Sequence, residues 1–285
     1  MNHLARVALA AVVTVGAVQL EAQVCRPGSD SREAKMLAFF AAPIAFSPGG
    51  NVVPMARGEV RLGFDATYVP TPSEDIRRPE TCYTNSKTEN TELTPVFPRP
   101  RVAIGLGAGF ALEATYLPPI TVMDATPNLF AVALGYGRAL GGGRTSVLVR
   151  AHATIGEVKG PITCSPDVIQ VGNPAGTCYA DRPSEDTYEP NMVGVEGVLT
   201  FRAQSRLRPY LGVGATALRP RFRVGFTDRL NNVDTTEVEV DLTRLTAVAG
   251  ASLEVNSRVR LVGELFSQPQ DVTTLRLGGV YVLRR

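Results

Sequence analysis

The stretch EVRLGFDATYV, residues 59–69, alternates between two kinds of side chain. Val60, Leu62, Phe64, Ala66 and Tyr68 share one parity, and Arg61, Gly63, Asp65 and Thr67 share the other. Successive side chains of a strand point to opposite faces, whereas a helix would scatter both sets around its circumference. This stretch is therefore read as a strand with one apolar and one polar face. Nine further segments carry the same period: residues 101–108, 111–117, 129–140, 145–156, 192–202, 208–226, 236–255, 259–266 and 272–284. In 208–226 and 236–255 the parity switches part-way, with Pro220 at the first switch, as a bulge would produce. Their outer parts are expected to form one hairpin projecting beyond the rest.

The connections alternate in length. Long or medium loops at 70–100, 118–128, 157–191, 227–235 and 267–271 are interleaved with tight turns at Gly109, Gly141-Gly142-Gly143, 203–206 and 256–258. A membrane barrel has short turns on one side and longer loops on the other. A sandwich with Greek-key crossings has no reason to alternate in this way.

Alternation by itself does not say which face is wet. One parity holds Val147, Val149, Ala151, Ala153 and Ile155, then Val193, Val195, Gly197, Leu199 and Phe201, then Leu275, Leu277, Gly279, Tyr281 and Leu283. The opposite parity holds Arg61, Asp65, Glu113, Arg150, His152, Glu196, Arg244, Glu254, Arg260, Glu264 and Arg276. Three features favour lipid outside and charge inside: the loop asymmetry, an N-terminal export signal, and strands long enough to cross a bilayer at a tilt. The expectation is an all-β, transmembrane, antiparallel up-and-down barrel of about ten strands, with eight to twelve compatible, and with those eleven polar residues lining the lumen. The alternative is a soluble exported barrel or sandwich that binds a small ligand.

The export signal is read from His3 and Arg6, the apolar run from Val7 to Val18, and Leu20-Glu21-Ala22, with cleavage after Ala22. This divides the chain into a signal peptide (1–22), an N-terminal segment (23–57) and the barrel (58–285). Residues 35–46 fit an extra strand, a short helix or a plug. Both mature termini are expected on the short-turn side.

Composition narrows the function. The chain has 285 residues, 44% of them hydrophobic, and a net charge of +2 from 29 basic and 27 acidic side chains. No run reaches the roughly 18 apolar residues of a spanning helix, and no basic stripe marks a nucleic-acid binder. Four cysteines in an exported chain suggest two disulfides, Cys164 with Cys178 and Cys25 with Cys82. Their spacing does not suit a metal site, and no cofactor is expected.

His152 is the one histidine of the mature chain and is read as part of a lumen hydrogen-bond network, because a triad or metal site needs more partners. No catalytic residue is assigned. Five lumen arginines face five carboxylates, which suggests a filled, salt-bridged interior rather than a ring of one sign around a pore. A narrow polar channel is the alternative. Gly105, Gly107, Gly135, Gly137, Gly212 and Gly214 on the inner parity leave room for a ligand or plug, or relieve crowding. Tyr68, Tyr116, Tyr136 and Tyr281 fit a sparse interfacial girdle.

Tyr116-Leu117-Pro118-Pro119-Ile120 and the closing stretch 275–285 resemble uncharacterised outer-membrane barrel families in pattern. In those families a strand ending in such a Pro-Pro element leads into an external loop, and the last strand guides assembly. Here that strand ends in Arg284-Arg285 where an aromatic is usual. The resemblance implies outer-membrane lipid and the barrel assembly machinery as partners, a structural or passive small-solute transport role, and an outer-membrane location after export.

Overall fold

The computed structural model describes residues 24–82, 96–122, 124–202 and 206–284. The expected signal peptide and its cleavage site lie outside the described residues.

Ten strands build the wall: β1 (Val60–Tyr68), β2 (Val96–Gly107), β3 (Phe110–Leu117), β4 (Thr126–Leu140), β5 (Thr145–Gly160), β6 (Met192–Phe201), β7 (Leu207–Leu218), β8 (Leu242–Glu254), β9 (Val259–Gln268) and β10 (Val272–Arg284). Each pairs antiparallel with the next, and β10 pairs with β1 from Leu275↔Tyr68 to Arg284↔Val60. The cylinder is closed, so it has no free sheet edge, which is the condition for crossing hydrocarbon with strands.

Burial is inverted relative to a water-soluble protein. Val213 is 72% exposed and Leu245 65%, while Arg150 is 1% exposed. Apolar side chains outside and charges inside are what lipid dictates. Tyr68 and Tyr116 point outward near the long-loop end, and Tyr136 and Tyr281 do so near the other.

The wall departs from the expected strands in three places. β2 begins at Val96, within what reads as loop, because Pro98 and Pro100 lie where only β1 neighbours it; its first rung to β3 is Arg101↔Thr115. β5 runs to Gly160 and changes partner along its length. Thr145–Thr154 pair with β6, and Val158–Gly160 pair with a short strand, Asp186–Glu189. Gly156, at φ 113°, makes the change of direction, and a Cβ there would meet the Asn128 carbonyl oxygen at 2.1 Å. The expected segments 208–226 and 236–255 each divide. Arg221–Arg223 and Glu237–Glu239 leave the wall, pair with each other, and extend the sheet from Asp186–Glu189. Val24–Cys25 adds to it in parallel with Glu237–Val238.

The N-terminal segment is a plug. Helix α1 (Arg32–Ile44) is capped by Ser31 Oγ, which accepts from the Ala34 N–H, and lies almost wholly buried in the long-loop mouth. Beyond it the chain descends through the lumen as coil, and Gly58 N–H donates to the Gly105 carbonyl at 2.8 Å before β1 begins. The described chain therefore begins, at Val24, at the long-loop end, which differs from the expectation that both termini share the short-turn side. The physical reason is that residues 32–57 run from the long-loop mouth down through the lumen, so the chain enters where the plug begins. Two disulfides, Cys25–Cys82 and Cys164–Cys178, lie among the long loops.

Candidate functional site: the plugged lumen

The lumen is organised around Phe46, which is fully buried. The inner face of β4 is small at this level, and Ala131 and Ala133 receive the ring. The guanidiniums of Arg101 and Arg150 each lie 4.8 Å from its centroid, Arg99 lies 5.9 Å away, and His152 stacks on it at 6.1 Å. Cations over a desolvated aromatic face are each worth about 2 kcal/mol.

Around this ring runs a chain of alternating charges. Asp65 bridges Arg99 and Arg101, both at 3.0 Å, and Glu113 bridges Arg101 at 3.3 Å and Arg150 at 3.0 Å. Arg150 continues to Glu196. Each carboxylate between two arginines offsets the desolvation of both, which an isolated buried pair does poorly.

The remaining donors reach the plug's backbone. Arg99 Nη1 donates to the Ala45 carbonyl at 2.9 Å, and Arg276 donates to Ala42 at 2.9 Å and Ala45 at 3.1 Å. These carbonyls lie at the C-terminus of α1, where the helix dipole favours positive charge, and that of Ala42 also accepts from the Ala45 N–H at 3.3 Å. Lower down, Arg101 Nη1 donates to the Ser47 carbonyl at 2.6 Å, Asn51 Nδ2 to Glu113 at 3.0 Å, and Ser146 and Thr200 hydroxyls to the Val52 carbonyl at 3.2 and 3.0 Å. Glu264 accepts from the Tyr210 hydroxyl at 2.8 Å and from the Gly49 N–H at 3.2 Å. Gly105 has to be glycine, because a Cβ there would come within 2.0 Å of the Ala56 carbonyl oxygen.

The eleven residues read from the sequence all sit on the inner parity, but not as one group. Asp65, Glu113, Arg150, His152, Glu196, Glu264 and Arg276 belong to the centre around Phe46 and the end of α1. Arg61 is lower, bonded to Glu59 at 2.8 Å. Glu254 and Arg260 form a separate group with Arg208 near the short turns, with N–O separations of 3.4–3.5 Å. Arg244 pairs with Asp271 at 2.8 Å at the long-loop end.

Sequence reasoning missed Arg99, Arg101, Glu59, Asn51, Phe46 and Tyr210. Arg99 and Arg101 share the parity of Ala103 and Gly105, which was the available signal, but Pro98 and Pro100 on either side of Arg99 read as loop. The plug residues carry no periodicity to find. Among the described residues no group of histidine, cysteine and carboxylate side chains is placed to hold a metal.

Among solved structures, the chain is similar to an outer membrane channel from Pseudomonas putida F1, at 11% identity over 84% of this chain and 100% of that one, with a TM-score of 0.41. It is also similar to Ail, the attachment invasion locus protein of Yersinia pestis, at 9% identity over 79% and 98% of the two chains, with a TM-score of 0.31. Neisserial surface protein A matches at 14% identity over 78% and 96%, with a TM-score of 0.30. No family model matches the sequence, and no curated protein sequence does. The closed strand pairing and the inverted burial make this chain a transmembrane barrel of the outer-membrane type.

Proposed function

We propose that this protein is a non-conducting, structural barrel of the outer membrane, whose own N-terminal segment seals the lumen and whose long-loop end forms a folded platform on the outer surface. Its route would be export through the cytoplasmic membrane on the N-terminal signal, then insertion by the barrel assembly machinery. The observation that carries this reading is that residues 45–57 fill the cylinder and their carbonyls take up the arginine donors that a water column would otherwise satisfy. It needs no cofactor and no catalytic residue. Small-solute transport is the second reading. The polar lining suits it, but it requires the plug to move.

Planar-bilayer recording on the full-length, oxidised protein tests the reading. The expected result is a bilayer that stays as resistive as one without protein, although the same preparation shows heat-modifiable gel migration and needs detergent for extraction. Discrete, steady current steps from folded protein would overturn the structural role in favour of transport.

A further inference from the structure

The barrel wall is incomplete at one place. Among the described residues, no rung joins β2 to β3 above Arg101↔Thr115, so Val96–Pro100 pair with β1 alone, while Tyr116 and Leu117 pair with β4 alone. Phe64, in mid-strand on the lipid-facing side, pairs with Pro100, so the gap lies at a depth where the outer surface is apolar. An unpaired N–H at this depth would be costly. The residues flanking the gap include Pro98, Pro100, Pro118, Pro119 and Pro127, which have no N–H to leave unpaired.

The gap is lined from both sides. Outside, a cavity of about 220 Å³ is walled by Phe64, Pro98, Pro100, Leu117, Ile120 and Pro127, together with Phe97, Ala125 and Val158. Inside, a cavity of about 60 Å³ lies against Phe39, Phe40, Pro43 and Ile44 of the plug helix and Tyr188, and is walled by the same Phe97, Ala125 and Val158. Three side chains thus separate the membrane-facing pocket from the space beside the plug. The outer pocket is smaller than the roughly 300–1,000 Å³ that whole drug-sized ligands occupy, and its walls are apolar. A length of unbranched hydrocarbon suits it, and a headgroup does not.

We propose that this gap is a lateral binding slot for one acyl chain of a bilayer lipid, which enters between β2 and the stretch Pro118–Val122 and reaches Phe97 at the edge of the plug helix. Bilayer lipid is the occupant because the slot opens directly onto the apolar outer face, with no aqueous path to cross. The inference rests on lipid covering that face, and not on the lumen being closed.

The chain contains no tryptophan, so single Phe→Trp variants report without background. Three are reconstituted, one at a time, in bilayers of phosphatidylcholine with or without bromine at mid-chain: F64W facing lipid, F97W in the slot, and F46W in the lumen centre. The expected result is that bromine costs F97W as much emission as F64W, although Phe97 is 8% exposed against 55% for Phe64, while F46W keeps its emission. F97W behaving like F46W would overturn the slot. If F97W lacks heat-modifiable migration, V158W replaces it with the same two outcomes. Quenching of the slot reporter by added brominated free fatty acid, but not by brominated phospholipid, would overturn the bilayer lipid as occupant. Loss of quenching at F64W would instead remove the membrane reading itself.

Discussion

The two halves of the plug are held by opposite physics. The helix half packs Leu37, Ala38 and Ala41 into a hydrophobic cluster with Leu117, Leu129, Met192, Leu218, Leu242 and Phe266. The coil half has only small apolar contacts, Phe46 on Ala131 and Ala133 and Val52 among Leu148, Val198 and Val248, and is bound chiefly by arginines, hydroxyls and carboxylates. The difference follows from position. In the spanning wall the outer parity must be apolar, and the inner parity is left to polar residues. At the mouth, loops and strand ends are free of that constraint and close over the helix as a soluble protein would. A plug that runs through both zones therefore has to change from an amphipathic element to a string of backbone acceptors, and Ala45 is where it does so.

The largest effect is expected where the polar half is cut. Arg150→Ala leaves both Glu113 and Glu196 buried without their shared cation, and should cost about 5 kcal/mol, the upper end for breaking a buried pair. Guanidinium unfolding in detergent micelles measures it. A loss below about 1 kcal/mol would mean that water, and not Arg150, satisfies those carboxylates.

Freeing the top of the plug comes next. The Cys25–Cys82 bond joins positions 57 residues apart, and the chain-entropy relation gives about 4 kcal/mol for the loop it closes. The Cys164–Cys178 bond spans 14 residues and should be worth about 3 kcal/mol. Thermal unfolding of C25S/C82S and C164S/C178S double variants compares them. The reverse order would show that the plug retains its place without covalent help.

In the apolar half, Leu37→Ala should cost about 3 kcal/mol through the cavity it leaves. Combined with Arg150→Ala, the two losses should add if the halves are independent, and a clear departure from additivity would show that the plug responds as one body.

The smallest expected effect is a pH dependence at the helix start. Burial pushes the Glu33 carboxyl up, but the N–H donors of Thr81, Cys82 and Glu80, with its own backbone, outweigh that and hold it below its ordinary 4.5. A carboxylate favoured by the folded state stabilises fully above its unfolded value, and that contribution is lost as pH falls through the lower folded value. Wild type should therefore exceed Glu33→Gln in stability near neutrality, with the gap shrinking only below 4.5. A gap that is constant with pH would assign the effect to packing.

Much of the wall was legible in the sequence because lipid enforces a strict period of two. Val193 to Phe201 cannot present a charge outward without a large penalty, so parity alone orients the strand. The lumen was legible as parity and not as contacts. The charges of Glu254 and Glu264 look alike in the sequence, yet one sits near the short turns and the other beside the plug at Gly49. The plug itself was legible only as one of three readings of residues 35–46, beside an extra strand and a short helix. Coil that binds through its carbonyls has no side-chain signature, because every residue type carries the same acceptor.

One consequence of the Cys25–Cys82 bond concerns topology more than stability. Down through the lumen, around Gly58 and back up the first wall strand, the polypeptide forms a covalently sealed ring standing upright in the membrane. A protease that nicks it once, anywhere between those two cysteines, releases no fragment; both ends stay attached until a reductant opens the link.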